Sequence, residues 1–586
     1  MYDVWNLDRI YKGFDDPAYE ADLQAMKQLV ADFTAFTGEL PDMEPVAGLR
    51  RGVELQEKMA DLSKLFGYAN LRSATNANDP EPGSWMGRIM AVRSGMAAPG
   101  AAFDAWIVQL PNLMELVRGD DYLKDYEFYF AGKLEAARYQ MCGQAESVMA
   151  KMSMSGGSAW SKLQSYLTST VPVSYRGTTT NLSAIRNLAY DPDPQVRKDA
   201  YEAELACYET IKEPVAHALN AIKLETISQC QLRGHESPLD RTLFGSDMKR
   251  ETLEAMLSAM DAYLPKFWQY LKAKAKVLGH ENGLPWYDLF APMGDSSTTF
   301  TPAEARDFLV KQFSTFDEEL TQMVARAFDE EWIDFYPRSG KRGGAFCSNI
   351  RSIGESRILT NYDGMFTDVV TLAHELGHAF HNQCVRNHRP LNQGYSMPVA
   401  ETASTFNECV VMNAAIAAAQ SREEKIALIE SQLQDATQII CDIYSRYRFE
   451  TMVFANRESR FMNADTLSGF MLTAQKQSYG DGLDHTVLHP YMWVCKGHYY
   501  GPTFYNFPYA FGGLFARGLY AQYEKEGAAF VPKYKKLLNT TPIAKVEDVA
   551  KVADIDLTDE NFWRGALQTI ADRIDLLCEL WEEKTM

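Results

Sequence analysis

The chain has 586 residues, with 58 lysines and arginines against 78 aspartates and glutamates, which gives a formal net charge of −20 at pH 7. Binding a polyanion requires a basic surface that displaces counterions, so this charge excludes a general nucleic-acid binder and argues against an anionic membrane surface as partner. With 46% hydrophobic and 12% aromatic residues, the composition is that of a packed globular protein rather than a disordered one.

The cysteines and the N-terminal segment bear on cellular location. The nine cysteines are scattered and include no Cys-x-x-Cys pair, which predicts free thiols in a reducing compartment rather than disulfides or a thiolate zinc site. Residues Met1–Arg9 carry acids where a signal peptide carries basic residues. No uncharged apolar run reaches the roughly 18 residues of a membrane span. We therefore expect a cytoplasmic protein with no membrane partner.

Helices dominate the predicted secondary structure. From about Tyr19 to Leu163, apolar residues recur with the helical period among many good helix formers. β-Branched residues between Thr168 and Leu188 flank a turn at Tyr175-Arg176-Gly177 and predict a short hairpin. Asp193-Pro194 and Thr301-Pro302 each supply an N-cap residue followed by a proline at the first helical position, so a helix is expected to begin at each.

A β-rich segment interrupts the helices between residues 340 and 362. Two runs, Gly343–Ser348 and Arg357–Tyr362, are bounded by glycine, serine or aspartate and predict a small sheet. The predicted fold class is therefore mainly α with a small β-sheet. No Gly/Ser/Pro-rich linker divides the chain, and we expect an N-terminal helical lobe of residues 1–190 and a second domain of residues 191–586.

The segment after the sheet predicts a helix with two chemically different faces. Thr367 can act as its N-cap, and Asp368 suits the positive end of the helix dipole. At about 3.6 residues per turn, the apolar side chains fall in one arc that faces a core, and the histidines fall on the opposite side. The apolar arc is Val369, Leu372, Leu376, Ala379 and Phe380, and the histidines are His374, His378 and His381.

The same helix contains the motif H-E-x-x-H. His374 and His378, one turn apart, can direct imidazole nitrogens at one Zn²⁺, with Glu375 as the base that activates a water molecule there. A polar helix face whose histidines only form hydrogen bonds is the alternative. A catalytic zinc also needs a third protein ligand. The metzincin pattern does not supply it, because it needs glycine and histidine where this chain has His381 and Cys384.

The third ligand is expected from a later helix. Glu401 and Glu408 are two turns apart on one predicted helix face, and either can be the ligand. Glu408 is also placed to accept a hydrogen bond from a ligand histidine. Glu375-x-x-His378 matches half of a carboxylate-bridged di-iron site, but no other histidine has a glutamate three residues before it, which argues against that site.

The segment Lys496–Tyr509 combines one histidine and four tyrosines with glycines and prolines that prevent one long regular helix. A phenol or an imidazole N–H can stabilise the negative charge that develops on a carbonyl oxygen during amide hydrolysis. Packing of the aromatic rings is the alternative interpretation.

Together, these motifs are similar to those of a known family. They are Asn361–Gly364 leading into His374–His381, Glu401 with Ala403–Glu408, and His498-Tyr499-Tyr500 with Pro502, Phe504 and Tyr505. Over about residues 190–580 the sequence resembles the oligoendopeptidase F branch of the thimet-oligopeptidase-like zinc metallopeptidases.

The resemblance implies a set of roles. One Zn²⁺ per chain would be bound by His374, His378 and Glu401, with Glu375 as general base and Glu408 supporting the metal ligands. His498 matches the histidine that approaches the substrate carbonyl, and Tyr505 and Tyr509 are candidates for the catalytic tyrosine. Pro508 departs from the family's regular tyrosine spacing.

The resemblance also implies a helical two-lobed ellipsoid with a deep substrate channel. Residues 191–586 would then be the catalytic domain. A strand edge beginning at Gly343, Gly344, Ala345 and Phe346 would bind substrate by pairing with an extended peptide.

The hypothesis is a cytoplasmic zinc endopeptidase that acts on oligopeptides. A zinc carboxypeptidase or dipeptidyl carboxypeptidase is the first alternative, since Arg342, Arg351 or Arg357 could grip a free carboxylate. A non-catalytic peptide-binding protein with a vestigial metal site is the second.

Overall fold

The computed structural model describes residues 4–294 and 299–583. Helices make up most of these residues, as the sequence predicts. The N-terminal helices are α1 (Pro17–Glu39), α2 (Pro45–Asp61), α3 (Lys64–Thr75), α4 (Pro80–Ser94), α5 (Ala97–Gln109), α6 (Leu113–Arg118), α7 (Glu127–Ala137), α8 (Gly143–Ser155) and α9 (Gly157–Thr170). The central helices are α10 (Leu182–Asn187), α11 (Pro194–Tyr208), α12 (Lys212–Arg233), α13 (Pro238–Gly245), α14 (Arg250–Val277), α15 (Pro302–Phe313) and α16 (Glu318–Asp329).

The C-terminal helices surround the segments that carry the predicted site. They are α17 (Phe366–Val385), α18 (Met397–Ala400), α19 (Thr402–Ala418), α20 (Arg422–Thr437), α21 (Ile443–Arg457), α22 (Ala464–Tyr479), α23 (Met492–Cys495), α24 (Phe507–Glu526), α25 (Phe530–Thr540), α26 (Val546–Lys551) and α27 (Glu560–Glu583). A π-helical turn, Gln438–Asp442, joins α20 to α21. Among the described residues, no helix combines the length and the apolar character needed to cross a membrane.

The strands form two small sheets. Strands β1 (Val173–Tyr175) and β2 (Thr178–Thr180) pair antiparallel around Arg176-Gly177, which confirms the predicted hairpin. Strands β3 (Ile333–Asp334), β4 (Phe346–Ile350) and β5 (Glu355–Leu359) form the second sheet in the order β3-β5-β4. β3 runs parallel to β5, and β4 runs antiparallel to it with Phe346 opposite Leu359.

The helix starts follow the sequence at two predicted positions and differ at a third. Asp193 accepts a hydrogen bond from the backbone of Gln195, and Thr301 forms a capping box with Glu304, as expected. The prediction that Thr367 is the N-cap of α17 is wrong. The helix begins at Phe366 because the Asp368 carboxylate accepts hydrogen bonds from the backbone N–H groups of Asp363 and Met365, both at 3.0 Å.

The predicted strand boundaries also need correction. Gly343, Gly344 and Ala345 lie before β4, which begins only at Phe346. Gly344 has a φ of +77°, outside the β region, so the chain turns there instead of extending. The Asn361 side chain fixes this turn by donating to the carbonyl oxygens of Arg342 and Gly344 at 3.0 and 2.8 Å.

Buried hydrophobic residues form several clusters. The largest includes side chains of α14, α17, α19, α24 and α27, and it contains the whole predicted apolar arc of α17. A second cluster joins Val173 and Ile185 to Leu219 and Trp493, so it includes residues on both sides of residue 190. Two further clusters lie mainly among the N-terminal helices. The division of the chain at residue 190 stays a prediction.

Close contact between α17 and α19 depends on Gly377. A Cβ atom at this position would lie 2.5 Å from both the carbonyl oxygen of Ala403 and the Cα atom of Ser404. Both are backbone atoms, so the helices can approach this closely only when position 377 has no side chain. The Asn407 amide joins the two helices nearby by donating to the carbonyl oxygen of Ala373 at 3.1 Å.

We expect Gly377→Ala to lower the free energy of unfolding by about 1–3 kcal/mol, because α17 and α19 must separate to admit the methyl group. Urea unfolding of the metal-free protein measures this effect. Gly469→Ala is the matched control, since Gly469 lies within α22 and a Cβ atom there would contact nothing within 4 Å. Equal stability changes in the two variants would contradict the packing argument.

Candidate metal centre

Three side chains meet in the geometry of a metal site. The Nε2 atoms of His374 and His378 are 3.2 Å apart, and each lies 3.4 Å from Oε2 of Glu401. A tetrahedral zinc ion with bonds of about 2.0–2.1 Å separates neighbouring donor atoms by about 3.3 Å. The donor set and its spacing therefore fit one zinc ion, which His374, His378 and Glu401 would hold.

Two glycines let the backbone bring these ligands together. His374 and His378 lie on α17 on either side of Gly377, where α19 approaches. Glu401 is the residue directly before α19. On its other side lies α24, where a Cβ atom at Gly512 would be 2.8 Å from Cβ of Glu401. The segment with Glu401 is thus held between α17 and α24.

Polar contacts orient the ligands. The Ser404 hydroxyl donates to Oε2 of Glu401 at 2.8 Å. Glu408 lies 2.5 Å from Nδ1 of His374, on the side of the ring away from Glu401. With its proton on Nδ1 and shared with Glu408, His374 presents the lone pair of Nε2 to a metal. Of the two glutamates left open by the sequence, the geometry favours Glu401 as ligand and Glu408 as its support.

The pKa shifts describe a site that attracts cations. Burial opposes ionisation of Glu401, but the hydrogen bond from His378 and the charges of both imidazoles lower its pKa to about 2. Burial likewise disfavours the charged form of His374, yet the hydrogen bond and charge of Glu408 raise its pKa to about 9. For Glu375, burial dominates and raises the pKa of the carboxyl group, as a general base requires.

The expectation that the histidines of α17 face away from the core is wrong for His381, whereas His374 and His378 are half-buried at the candidate metal site. Its imidazole is completely buried, with Nε2 2.8 Å from the Thr541 hydroxyl and the ring stacked 4.0 Å from that of Tyr395. His381 is buried by a segment distant in sequence: α25 packs against α17, and Thr541 directly follows α25. Burial lowers the pKa of His381 to about 3, which keeps it neutral.

The structure brings His498, Tyr505 and Tyr509 into one cluster. The ring centroids of Tyr505 and Tyr509 lie 5.3 and 6.3 Å from that of His498. Nδ1 of His498 lies 3.0 Å from Oδ1 of Asn506 and 3.3 Å from Nη1 of Arg446. Burial and then the Arg446 charge lower the pKa of His498, so the imidazole is neutral at pH 7 and retains one N–H.

Helix α24 connects this aromatic cluster with the metal ligands. Tyr509 lies one turn before Gly512, on the helix side that faces Glu401. Burial, a hydrogen bond with Tyr505 and the charge of Glu401 all raise the pKa of Tyr509, so its phenol keeps its proton. Pro508 lies in the first turn of α24 and helps to start the helix that carries Tyr509.

The predicted substrate-binding residues lie near the same site. Gly343 and Gly344 are exposed, and Ala345 and Phe346 are half-buried. They lead into β4, a strand at the edge of its sheet that packs against α17. The next residue, Cys347, has a raised pKa because of burial and the charge of Glu375, which indicates that β4 runs beside the base.

Sequence reasoning missed Arg446, Asn506 and Gly512. Arg446 is fixed by an ion pair with Asp442 at the end of the π-helical turn, and it lies too far from His498 in sequence for any local pattern to connect them. Asn506 belongs to the aromatic segment but carries no aromatic signal. Gly512 could be recognised only from the approach of another segment.

Comparisons with known proteins identify the family of the chain. The family model described as "Peptidase family M3" matches residues 187–568, which is more than half of the chain. The chain belongs to peptidase family M3. A second family model, described as "Oligopeptidase F", matches residues 111–171 of this M3 peptidase.

Curated and solved relatives cover almost the whole M3 chain. It is 24% identical over 597 aligned positions to Oligopeptidase PepF of Bacillus subtilis, covering 99% of this chain and 87% of the relative. It is 22% identical to Group B oligopeptidase PepB of Streptococcus agalactiae, and the alignment covers 97% of this chain and 96% of that relative. The crystal structure of oligoendopeptidase-F from Enterococcus faecium has the same fold, with a TM-score of 0.73 at 16% identity, covering 97% and 99%. This M3 chain is therefore a metallopeptidase that acts on oligopeptides.

We expect Glu408→Gln to weaken metal binding about 10- to 100-fold, because the amide no longer holds His374 with a charge-assisted hydrogen bond. Competition with a chromophoric chelator measures the affinity, and Glu251→Gln on the exposed side of α14 controls for the lost charge. An unchanged zinc affinity in Glu408→Gln would refute the supporting role of Glu408.

In the unaltered protein the affinity for zinc should rise with pH up to about 9, because a proton on His374 competes with the metal.

Proposed function

We propose that this M3 peptidase is a zinc-dependent endopeptidase that hydrolyses internal bonds of short peptides. The observation that carries the proposal is the triangle of three donor atoms, 3.2 to 3.4 Å apart, beside the buried Glu375. His374, His378 and Glu401 would hold the ion. When bound there, zinc would polarise the scissile carbonyl group and lower the pKa of a coordinated water molecule.

The residues of the chain supply proton transfer and charge stabilisation. Glu375 takes the proton from the attacking water and passes it to the leaving amine, a task for which its raised pKa suits it. With Nδ1 of His498 accepting from Arg446, its N–H lies at Nε2, and this group and the phenol of Tyr505 or Tyr509 donate hydrogen bonds to the developing oxyanion. The edge of β4, which begins at Phe346, binds the substrate backbone as an added strand, and the turn of Gly343, Gly344 and Ala345 leads the chain into that edge.

A carboxypeptidase has less support in the contacts of the candidate arginines. Arg357 is completely buried and is held by Glu355 and by the backbone oxygen of Asn6, so it is not available to a substrate carboxylate. Arg351 already pairs with Asp61 at 3.1 Å. Arg342 is exposed, and its guanidinium lies over the ring of Phe346.

We expect Glu375→Gln to retain zinc and to lower kcat at least about 100-fold, because the amide cannot accept the proton of the attacking water. Metal content and cleavage of an internally quenched peptide are measured on the same sample. The wild-type protein treated with a chelator and then reloaded with zinc serves as control. Turnover at a near wild-type rate would refute the assigned role of Glu375.

An end-blocked peptide separates the endopeptidase from the carboxypeptidase. We expect a peptide with an acetylated N-terminus and an amidated C-terminus to be cut at internal bonds, because no free terminus needs to be recognised. Mass spectrometry of early products identifies the bonds. Hydrolysis only of the matched peptide with a free carboxylate, by removal of one or two C-terminal residues, would instead favour the carboxypeptidase alternatives.

A further inference from the structure

A cavity of about 550 Å³ opens directly beside the metal centre. His374 and Glu408 form part of its wall, so the cavity adjoins one of the candidate metal ligands. The remaining wall is mostly apolar and includes Met365, Val370 and Met412. The volume is sufficient for a long side chain, and the apolar wall suits a side chain with an aliphatic stem.

One acidic side chain on this wall has no role in the mechanism above. Asp435, in the last turn of α20, lines the cavity, and its carboxylate has no hydrogen-bond or ion-pair partner among residues 4–294 and 299–583. Asp435 is an exposed residue, yet desolvation by the surrounding protein and the charge of Glu408 raise the pKa of its carboxyl group to about 6. Asp435 is therefore mainly ionised at pH 7.5.

The charge of Arg517 lowers the pKa of Asp435 whereas that of Glu408 raises it, and neither residue pairs with the Asp435 carboxylate. Glu408 is engaged with His374, and it adds negative charge on the same wall. Arg517 also lines the cavity, but its guanidinium donates to the carbonyl oxygen of Gly513 and forms no ion pair with Asp435 within the described residues. A carboxylate without a fixed counter-ion gains a charge-assisted hydrogen bond when a ligand supplies a cation.

We infer that this cavity is a subsite for a positively charged peptide side chain, lysine or arginine, close to the scissile bond, and that Asp435 determines this specificity. The aliphatic stem lies along Met365, Val370 and Met412, and the cationic end reaches Asp435. Tyr190, an exposed aromatic ring on the same wall, adds a surface over which a cation is stabilised. This inference rests on the proposed peptidase function and names its substrate class.

The test uses end-blocked, internally quenched peptides that differ at one position only. Each of the three positions on either side of the scissile bond carries lysine, norleucine or glutamate in turn. We expect one position at which the wild-type enzyme prefers lysine to norleucine in kcat/KM. Asp435→Asn should reduce that lysine-to-norleucine ratio about tenfold, and Asp435→Lys should shift the preference toward glutamate. Glu423→Gln, an equal change of charge on the exposed first turn of α20, should leave the ratio unaltered.

A binding measurement separates failure of the subsite from failure of the proposed function. In the Glu375→Gln background, fluorescence anisotropy gives the affinities of the lysine and norleucine peptides with and without Asp435→Asn. If the wild-type protein cleaves no peptide but Asp435→Asn lowers the lysine-to-norleucine affinity ratio, the peptidase proposal fails and the subsite stands. The subsite is refuted if the Asp435→Asn variant melts normally and its lysine-to-norleucine ratios, in kcat/KM and in affinity, equal those of the protein with Asp435. This conclusion does not depend on the level of peptidase activity. Should Asp435→Lys not fold, the asparagine variant decides.

Discussion

The site depends on the close approach of three helical segments at Glu401. A side chain at Gly377 would collide with the backbone of Ala403 and Ser404, and one at Gly512 would collide with Glu401 itself. These two positions without side chains allow a carboxylate from the start of α19 to reach two imidazoles on α17. A displacement of about 1 Å would move the donor atoms out of the range that one metal ion can bridge.

The same packing brings several negatively charged side chains close together. Glu375, Glu401 and Glu408 converge in a half-buried region, where unpaired carboxylates are costly. The two imidazoles offset part of this charge, and a bound divalent cation would offset more. The raised pKa of His374, which follows mainly from Glu408, and the lowered pKa of Glu401, which follows mainly from His378, both reflect this concentration of opposite charges. Asp435 extends the negative potential into the neighbouring cavity.

Local patterns in the sequence predicted the mainly helical character of the chain, the starts of α11 and α15, and part of the site. The spacing of His374 and His378 predicts their meeting because an α-helix places residues four apart on one face. The choice between Glu401 and Glu408 required the structure, because both lie on the same predicted face. His381 has the same spacing signal as its neighbours, but α25 buries it. The strand limits depended on the positive φ of Gly344, and the positions of Arg446 and Asp435 depend on contacts between distant segments.

The central claim is that His374, His378 and Glu401 bind one zinc ion. A crystal structure of the zinc-loaded protein, with anomalous data collected at the zinc absorption edge, tests it most directly. We expect a single strong peak about 2.0–2.2 Å from Nε2 of both histidines and from one carboxylate oxygen of Glu401. A peak elsewhere in the molecule, or three side chains that point apart in a zinc-loaded crystal, would contradict the account.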